Sequence, residues 1–155
     1  MSFRVHHPFR ARPTAYRGLF ELAGGFKLRR YTLTLPGASF DESRFARGVD
    51  LALAALPAPA VTAERPGVGF MIEHQGRDAD YVVVAWWDRE NELAMRTFTR
   101  AGMAWREARD GEGLDVWNLR IVTAERDAYV ADVLTHGGHG VEAYLARGGA
   151  LLMAG

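Results

Sequence analysis

The sequence contains no cysteine among its 155 residues. This absence excludes disulfide bonds, thiolate catalysis, cysteine-based zinc fingers and iron–sulfur clusters. No apolar run approaches the roughly eighteen residues that a membrane-spanning helix needs. The first thirty residues lack a continuous apolar segment, so no secretory signal is predicted. We therefore predict a cytoplasmic protein without a membrane partner.

The chain also has no net charge. Lys and Arg together number 19, and so do Asp and Glu, so no nucleic-acid partner is predicted on electrostatic grounds. The distribution is uneven, because residues 1–30 carry a net charge of +6 and the other 125 residues carry −6. Such a basic segment can bind phosphate, nucleic acid or an acidic partner, or can act as an organelle transit peptide. We favour residues 1–14 as a basic N-terminal arm that packs against the acidic body of the same chain.

The motifs that identify common catalytic and cofactor sites are missing. The sequence has no phosphate-binding loop, serine nucleophile elbow, zinc-protease motif or EF-hand loop, and no cofactor is predicted. His136 and His139 have a spacing that could offer two imidazoles to a metal ion. The two glycines between them make that loop flexible, and no third ligand lies nearby in sequence. We predict exposed histidines there and no metal site.

Apolar patterning and turn residues predict six strands. The first two form a hairpin around Gly24 and Gly25, within residues 15–35. The run YVVVAWW at 81–87 does not alternate and is typical of a central strand that is covered on both faces. The other strands are predicted at 67–74, 92–100 and 115–122.

Three helices are predicted. The first spans 40–56, where Ser39 and Glu42 have the spacing of a capping box. Its apolar stripe consists of Phe45, Val49, Leu53 and Leu56. The later helices run from Thr123, as N-cap, to about His136, and from Val141 to Arg147. Consecutive strands with segregated helices predict one α+β domain over 15–155, with an antiparallel sheet of five or six strands and helices packed on one face.

His74 is the candidate general base. It ends an apolar strand face made by Val68, Phe70 and Ile72, where a neutral imidazole could accept a proton or donate a structural hydrogen bond. Asp80 is the favoured carboxylate partner, because the end of one hairpin strand lies near the start of the next.

The second face of the sheet is the candidate binding surface. Trp86 and Trp87 are adjacent on one strand and must face opposite sides of the sheet, so one of them must contact a ligand, a loop or another subunit. Asn118 and Arg120 alternate with Trp117 and are candidate polar groups beside an apolar pocket. They would equally suit the solvent face of an edge strand.

The segments GVGFMIEHQG, WWDRENEL and VWNLRIVTAERDAYV together resemble an uncharacterised bacterial protein family. The resemblance covers about 15–147. It implies a bacterial protein whose shared residues are aromatic and structural, and it implies no activity, cofactor or catalytic residue.

Three functions remain open. The first is a small-molecule-binding domain that holds a small apolar ligand near Trp87, Asn118 and Arg120. The second is a non-catalytic homodimer or partner-binding module that uses the second sheet face. The third is an enzyme in which His74, with Asp80, acts as general base. The first two differ in whether that face is concave or flat.

Overall fold

The computed structural model describes residues 13–57, 67–88, 90–102 and 104–147. Within these ranges the strands are β1 (Thr14–Glu21), β2 (Lys27–Leu33), β3 (Val68–Gln75), β4 (Asp80–Trp87), β5 (Leu93–Arg100) and β6 (Trp105–Glu107). The helices are α1 (Glu42–Ala55), α2 (Val116–Tyr129) and α3 (Gly138–Ala146). The predicted basic arm at 1–14 lies outside the described residues, except for Pro13 and Thr14.

The strands form one six-stranded sheet whose spatial order follows the chain. Neighbouring strands are antiparallel except β2 and β3, which are parallel. A parallel pair needs a long crossover connection, and the segment that contains α1 supplies it. β4 lies between β3 and β5, as its unbroken apolar run predicts. The predicted α+β fold is confirmed, and the sheet is antiparallel as predicted except for the parallel pair of β2 and β3.

Helices cover both faces of this sheet rather than one. α1 packs on the face that contains Met71 and Val82. α2 packs on the opposite face, which contains Ile72 and Val83. The apolar run of β4 supplies a buried row to each face, so each face needs its own cover. The predicted segregation of helices to one face is therefore wrong.

The segment 115–122 is the start of a helix and not a strand. Asp115 caps α2 by accepting a hydrogen bond from the backbone N–H of Asn118. The alternation of Trp117, Leu119 and Ile121 imitates a strand, but the buried positions follow a helical spacing instead. These buried positions are Asn118, Ile121, Val122 and Glu125. Thr123 lies inside α2, and the sixth strand is the short β6.

The N-cap of α1 is also displaced from its predicted position. Asp41, not Ser39, accepts a hydrogen bond from the backbone N–H of Arg44. The carbonyl of Ser39 instead accepts a hydrogen bond from the side chain of Gln75. Phe45 is buried as predicted, whereas Leu53 is only half-buried. The fully buried positions of α1 are therefore Phe45, Gly48 and Ala52, and the rest of the predicted stripe packs at the edge of the core.

The chain after α2 folds back onto the sheet. A π-helical turn (Val130–Leu134) continues α2, and Gly137, with a φ of 60°, redirects the chain into α3. Tyr144 of α3 is fully buried in a cluster with Val68 and Tyr129. Over the described ranges, every helix is too short or too polar to cross a bilayer.

Candidate functional site

His74 is buried at the end of β3, where its side chain is 2% exposed. Its Nδ1 lies 3.1 Å from Oδ1 of Asn118, and its Nε2 lies 3.6 Å from Oδ2 of Asp115. Both partners belong to the first turn of α2 and its cap. The imidazole therefore connects the end of β3 to the start of α2.

The orientation of the Asn118 amide determines which nitrogen of His74 carries a proton. Nδ2 of Asn118 donates to the carbonyl of Gly113, so its Oδ1 is the acceptor that faces the imidazole. Nδ1 of His74 is therefore the donor, and Nε2 faces the carboxylate of Asp115. At 2% exposure the ring is not accessible to a substrate, and its contacts are those of a structural link.

Asp80 lies on the other face of the sheet and does not pair with His74. Its carboxylate accepts two hydrogen bonds of 2.7 Å from Arg44 and one of 3.0 Å from Arg100. The backbone N–H of Gly76 also donates to it. The predicted His74–Asp80 pair is therefore wrong, and the carboxylate beside His74 is that of Asp115.

Trp87 is on the same sheet face as His74 but at the opposite end of β4. His74 is paired with Tyr81, and the six residue-to-residue steps from Tyr81 to Trp87 span roughly 20 Å of strand. The ring of Trp87 stacks on Tyr129 with centroids 4.0 Å apart and meets Tyr144 edge-on. This tryptophan belongs to an aromatic cluster that the helices cover. Trp86, as predicted, faces the other side, in the α1 core.

The other predicted ligand-binding residues are also used internally. Asn118 is buried against His74. The guanidinium carbon of Arg120 lies 5.3 Å from the ring centroid of Trp117, on the same helix. The structure thus brings Asn118 to His74 but does not join Trp87 or Arg120 to them.

His136 follows the π-helical turn, and His139 lies in the first turn of α3. His136 and His139 are both exposed, and the described part of the chain contains no group of three ligand side chains that could hold a metal ion. His6 and His7 lie outside the described residues.

A buried ion pair between Arg29 and Glu125 is the main polar feature that the sequence did not predict. The pair is 3.2 Å long, and both side chains are almost fully buried. The hydroxyls of Tyr31 and Tyr144 donate to the two oxygens of the same carboxylate. Burial and the nearby Glu125 raise the pKa of both tyrosines, so both remain protonated donors. These groups hold α2 and α3 on the sheet. The sequence signal for them is the position of Arg29 in β2, next to Leu28 and two residues before Tyr31.

A second buried carboxylate, Glu73, lies on the α1 face. Arg17 donates to it at 3.0 Å, and Arg30 donates to its other oxygen. Arg17 also pairs with Glu42, in the first turn of α1. Burial and the neighbouring charge of Arg17 lower the pKa of the Arg30 guanidinium. This cluster joins β1, β2 and β3 to the start of α1.

An open groove of about 370 Å³ lies between α1 and the strands β5 and β6. Neither His74 nor Trp87 lines it. Its apolar lining comes from one face of α1 and from the two strands, and consists of Leu51, Ala54, Ala55, Phe98 and Trp105. A volume of this size is within the range of small-molecule sites.

A hydrogen bond and an aromatic contact fix the side chain of Trp105 in the wall of this groove. Its indole N–H donates to the carbonyl of Arg44 at 3.3 Å, and its ring packs at a tilt against Phe45, with centroids 5.5 Å apart. Gly48 of α1 leaves the space that the indole occupies. The aromatic wall is therefore preformed.

Charged side chains line the rim of the groove. Arg96 makes a two-point ion pair with Glu107, and Arg106 makes another with Glu112. Hydrogen bonds from Arg106 and from the backbone of Arg109 lower the pKa of Glu112 to about 2, so this carboxylate is ionised at neutral pH. Arg47 is the third guanidinium of the rim and is exposed.

Comparisons with protein-family profiles, curated protein sequences and solved structures found no match. The resemblance to an uncharacterised bacterial family therefore stays a prediction.

Proposed function

We propose that this protein is a small-molecule-binding domain whose ligand lies in the groove between α1 and the strands β5 and β6. The observation that carries the proposal is an open volume of about 370 Å³ that combines an aromatic wall, Trp105, with aliphatic and charged lining. Binding pockets are typically apolar surfaces with a few polar groups that fix orientation. The groove replaces the site near Trp87 that the sequence predicts.

The preformed wall favours binding. Because Gly48, Phe45 and the carbonyl of Arg44 already fix the indole of Trp105, little side-chain entropy is lost when a ligand packs against it. Pre-organisation of this kind increases affinity.

The lining chemistry favours binding over catalysis. No hydroxyl, thiol or imidazole is among the described side chains that line the groove. Its one carboxylate, Glu107, accepts two hydrogen bonds from Arg96, which lower its pKa. A carboxylate that is stabilised in its charged form is a poor general base.

Calorimetric titration tests the proposal with two apolar probes of similar shape, neutral 2-naphthol and anionic 2-naphthoate. We expect saturable binding of at least one probe to the wild-type protein and a clear loss in Leu51→Ser, which makes the groove lining polar. Leu19→Ser is the matched control, because Leu19 is exposed on β1, at the opposite edge of the sheet from β6. Equal binding by both variants, or no binding of either probe to the wild type, would contradict the proposal.

Self-association is the second candidate function, and one observation favours it. The outer face of α2 and the turn that follows carry exposed apolar side chains, namely Val116, Leu119, Val130 and Leu134. A second copy that packs on this face would bury them in a homodimer. Sedimentation should then show a dimer in the wild type and a monomer in Leu119→Ser. A wild-type monomer at all concentrations would rule out self-association through this face.

Location in the cytoplasm stays a prediction from the sequence.

A further inference from the structure

The groove carries one positive charge in excess. Two of its three arginines are neutralised, since Arg96 binds Glu107 and Arg106 binds Glu112, each through two hydrogen bonds. Both carboxylates have a lowered pKa because of these bonds. Among the described residues, no carboxylate forms an ion pair with Arg47. The remaining charge of the lining is therefore the guanidinium of Arg47.

Arg47 lies on the same face of α1 as the apolar residues that line the groove. Arg47 and Leu51 are one helical turn apart, and Ala54 and Ala55 follow on the next turn of the same face. From Arg47 to Ala55 the helix rises by roughly 12 Å. A guanidinium thus stands at one end of an apolar strip, with Trp105 and Phe98 on the facing wall.

We propose that the ligand of this groove is an apolar monoanion, whose carboxylate binds Arg47 and whose hydrophobic body lies along α1 against Leu51 and Trp105. This inference rests on the proposed function. Arginine suits the role because its planar fork matches the geometry of a carboxylate. A single excess charge matches one carboxylate better than a doubly charged phosphate. A bicyclic aromatic acid or a medium-length acyl acid matches the length of the strip.

The test compares the affinities of 2-naphthoate and 2-naphthol, which differ mainly in charge at neutral pH. We expect the wild type to bind the carboxylate at least about tenfold more tightly than the neutral alcohol, which corresponds to about 1.4 kcal/mol. Arg47→Gln should abolish this preference and leave the affinity for 2-naphthol unchanged. Arg47→Lys should keep most of the preference. Arg126→Gln is the control for net charge, because Arg126 is exposed on α2, away from the groove.

The outcomes separate this inference from the proposed function. Equal binding of both probes to the wild type, or a preference that survives in Arg47→Gln, would overturn the anion inference and leave the groove as a neutral binding site. Loss of the preference in Arg126→Gln as well would attribute it to net charge and would also overturn the inference. Binding of neither probe would overturn both.

Discussion

The indole of Trp105 lies against Gly48 so closely that a Cβ at position 48 would clash with the ring. A Cβ on Gly48 would come within 2.8 Å of three ring carbons of this indole. This contact lets β6 approach α1, and it places an aromatic wall beside the helix face that carries Arg47 and Leu51.

Gly48→Ala should therefore narrow the groove. The methyl group must displace the indole, so we expect a loss of about 1–3 kcal/mol in the free energy of unfolding and weaker binding of 2-naphthoate. Gly138→Ala is the control, because nothing lies within 4 Å of a Cβ at that helical position. It should be neutral or stabilising, by up to about 1 kcal/mol. Unchanged stability and binding in Gly48→Ala would show that Trp105 does not occupy this place.

Removal of the buried Glu125 carboxylate should destabilise the protein strongly. Glu125→Leu leaves the charge of Arg29 buried without this partner, and we expect a cost of about 3–5 kcal/mol in urea denaturation. The double variant Arg29→Met/Glu125→Leu should cost less than the sum of the two single changes, because it removes both charges. Strict additivity would mean that the two side chains do not interact.

Asp132 should contribute stability that is lost in acid. Arg147 donates two hydrogen bonds to it, of 2.6 and 2.5 Å, and these lower the pKa of Asp132 in the folded protein. The contribution is therefore fully present above the unfolded pKa of about 3.9, and it disappears as the pH falls through the lower folded value. We expect the wild type to be more stable than Asp132→Asn near neutral pH, and the difference to shrink below about pH 4. A difference that does not change with pH would contradict this.

The helix caps give a direct comparison of two side chains. Asp41→Ala removes the N-cap of α1 and should cost about 0.5–2 kcal/mol. Ser39→Ala should cost less than about 0.5 kcal/mol, because the bond that Ser39 makes to Gln75 uses its backbone carbonyl. Chemical denaturation of both variants checks the order. A larger cost for Ser39→Ala would favour the capping box that the sequence predicts.

Much of the sheet could be predicted because its strands carry strong local signals. β4 is a continuous apolar run, and β3 alternates, so both strands were predicted to within one residue at either end. The start of α2 was predicted wrongly because Trp117, Leu119 and Ile121 are spaced as in a strand. The residues that complete the buried helical face of α2 include two polar ones, Asn118 and Glu125. Each is buried because it binds a distant partner: Asn118 binds His74, and Glu125 binds Arg29. Such partners depend on tertiary packing and cannot be deduced from local patterns.

The groove could not be predicted for the same reason. It forms only when α1 packs against β6, about fifty residues further along the chain, and β6 has just three residues. Trp105 is a residue type that is common in binding sites, but nothing in the sequence around it indicates that Gly48 provides the space for its indole. His74, in contrast, stood out in the sequence because of its place on an apolar strand, and the structure buries it against Asn118 at the start of α2.

Backbone and indole NMR shifts during a titration with 2-naphthoate test the central claim most directly. We expect saturable shifts of the Trp105 indole N–H and of the backbone amides of 47–55, while the indole signals of Trp87 and Trp117 stay unchanged on the other face of the sheet. Shifts confined to Trp87 or Trp117, or the absence of any saturable shift, would contradict a ligand site in the groove.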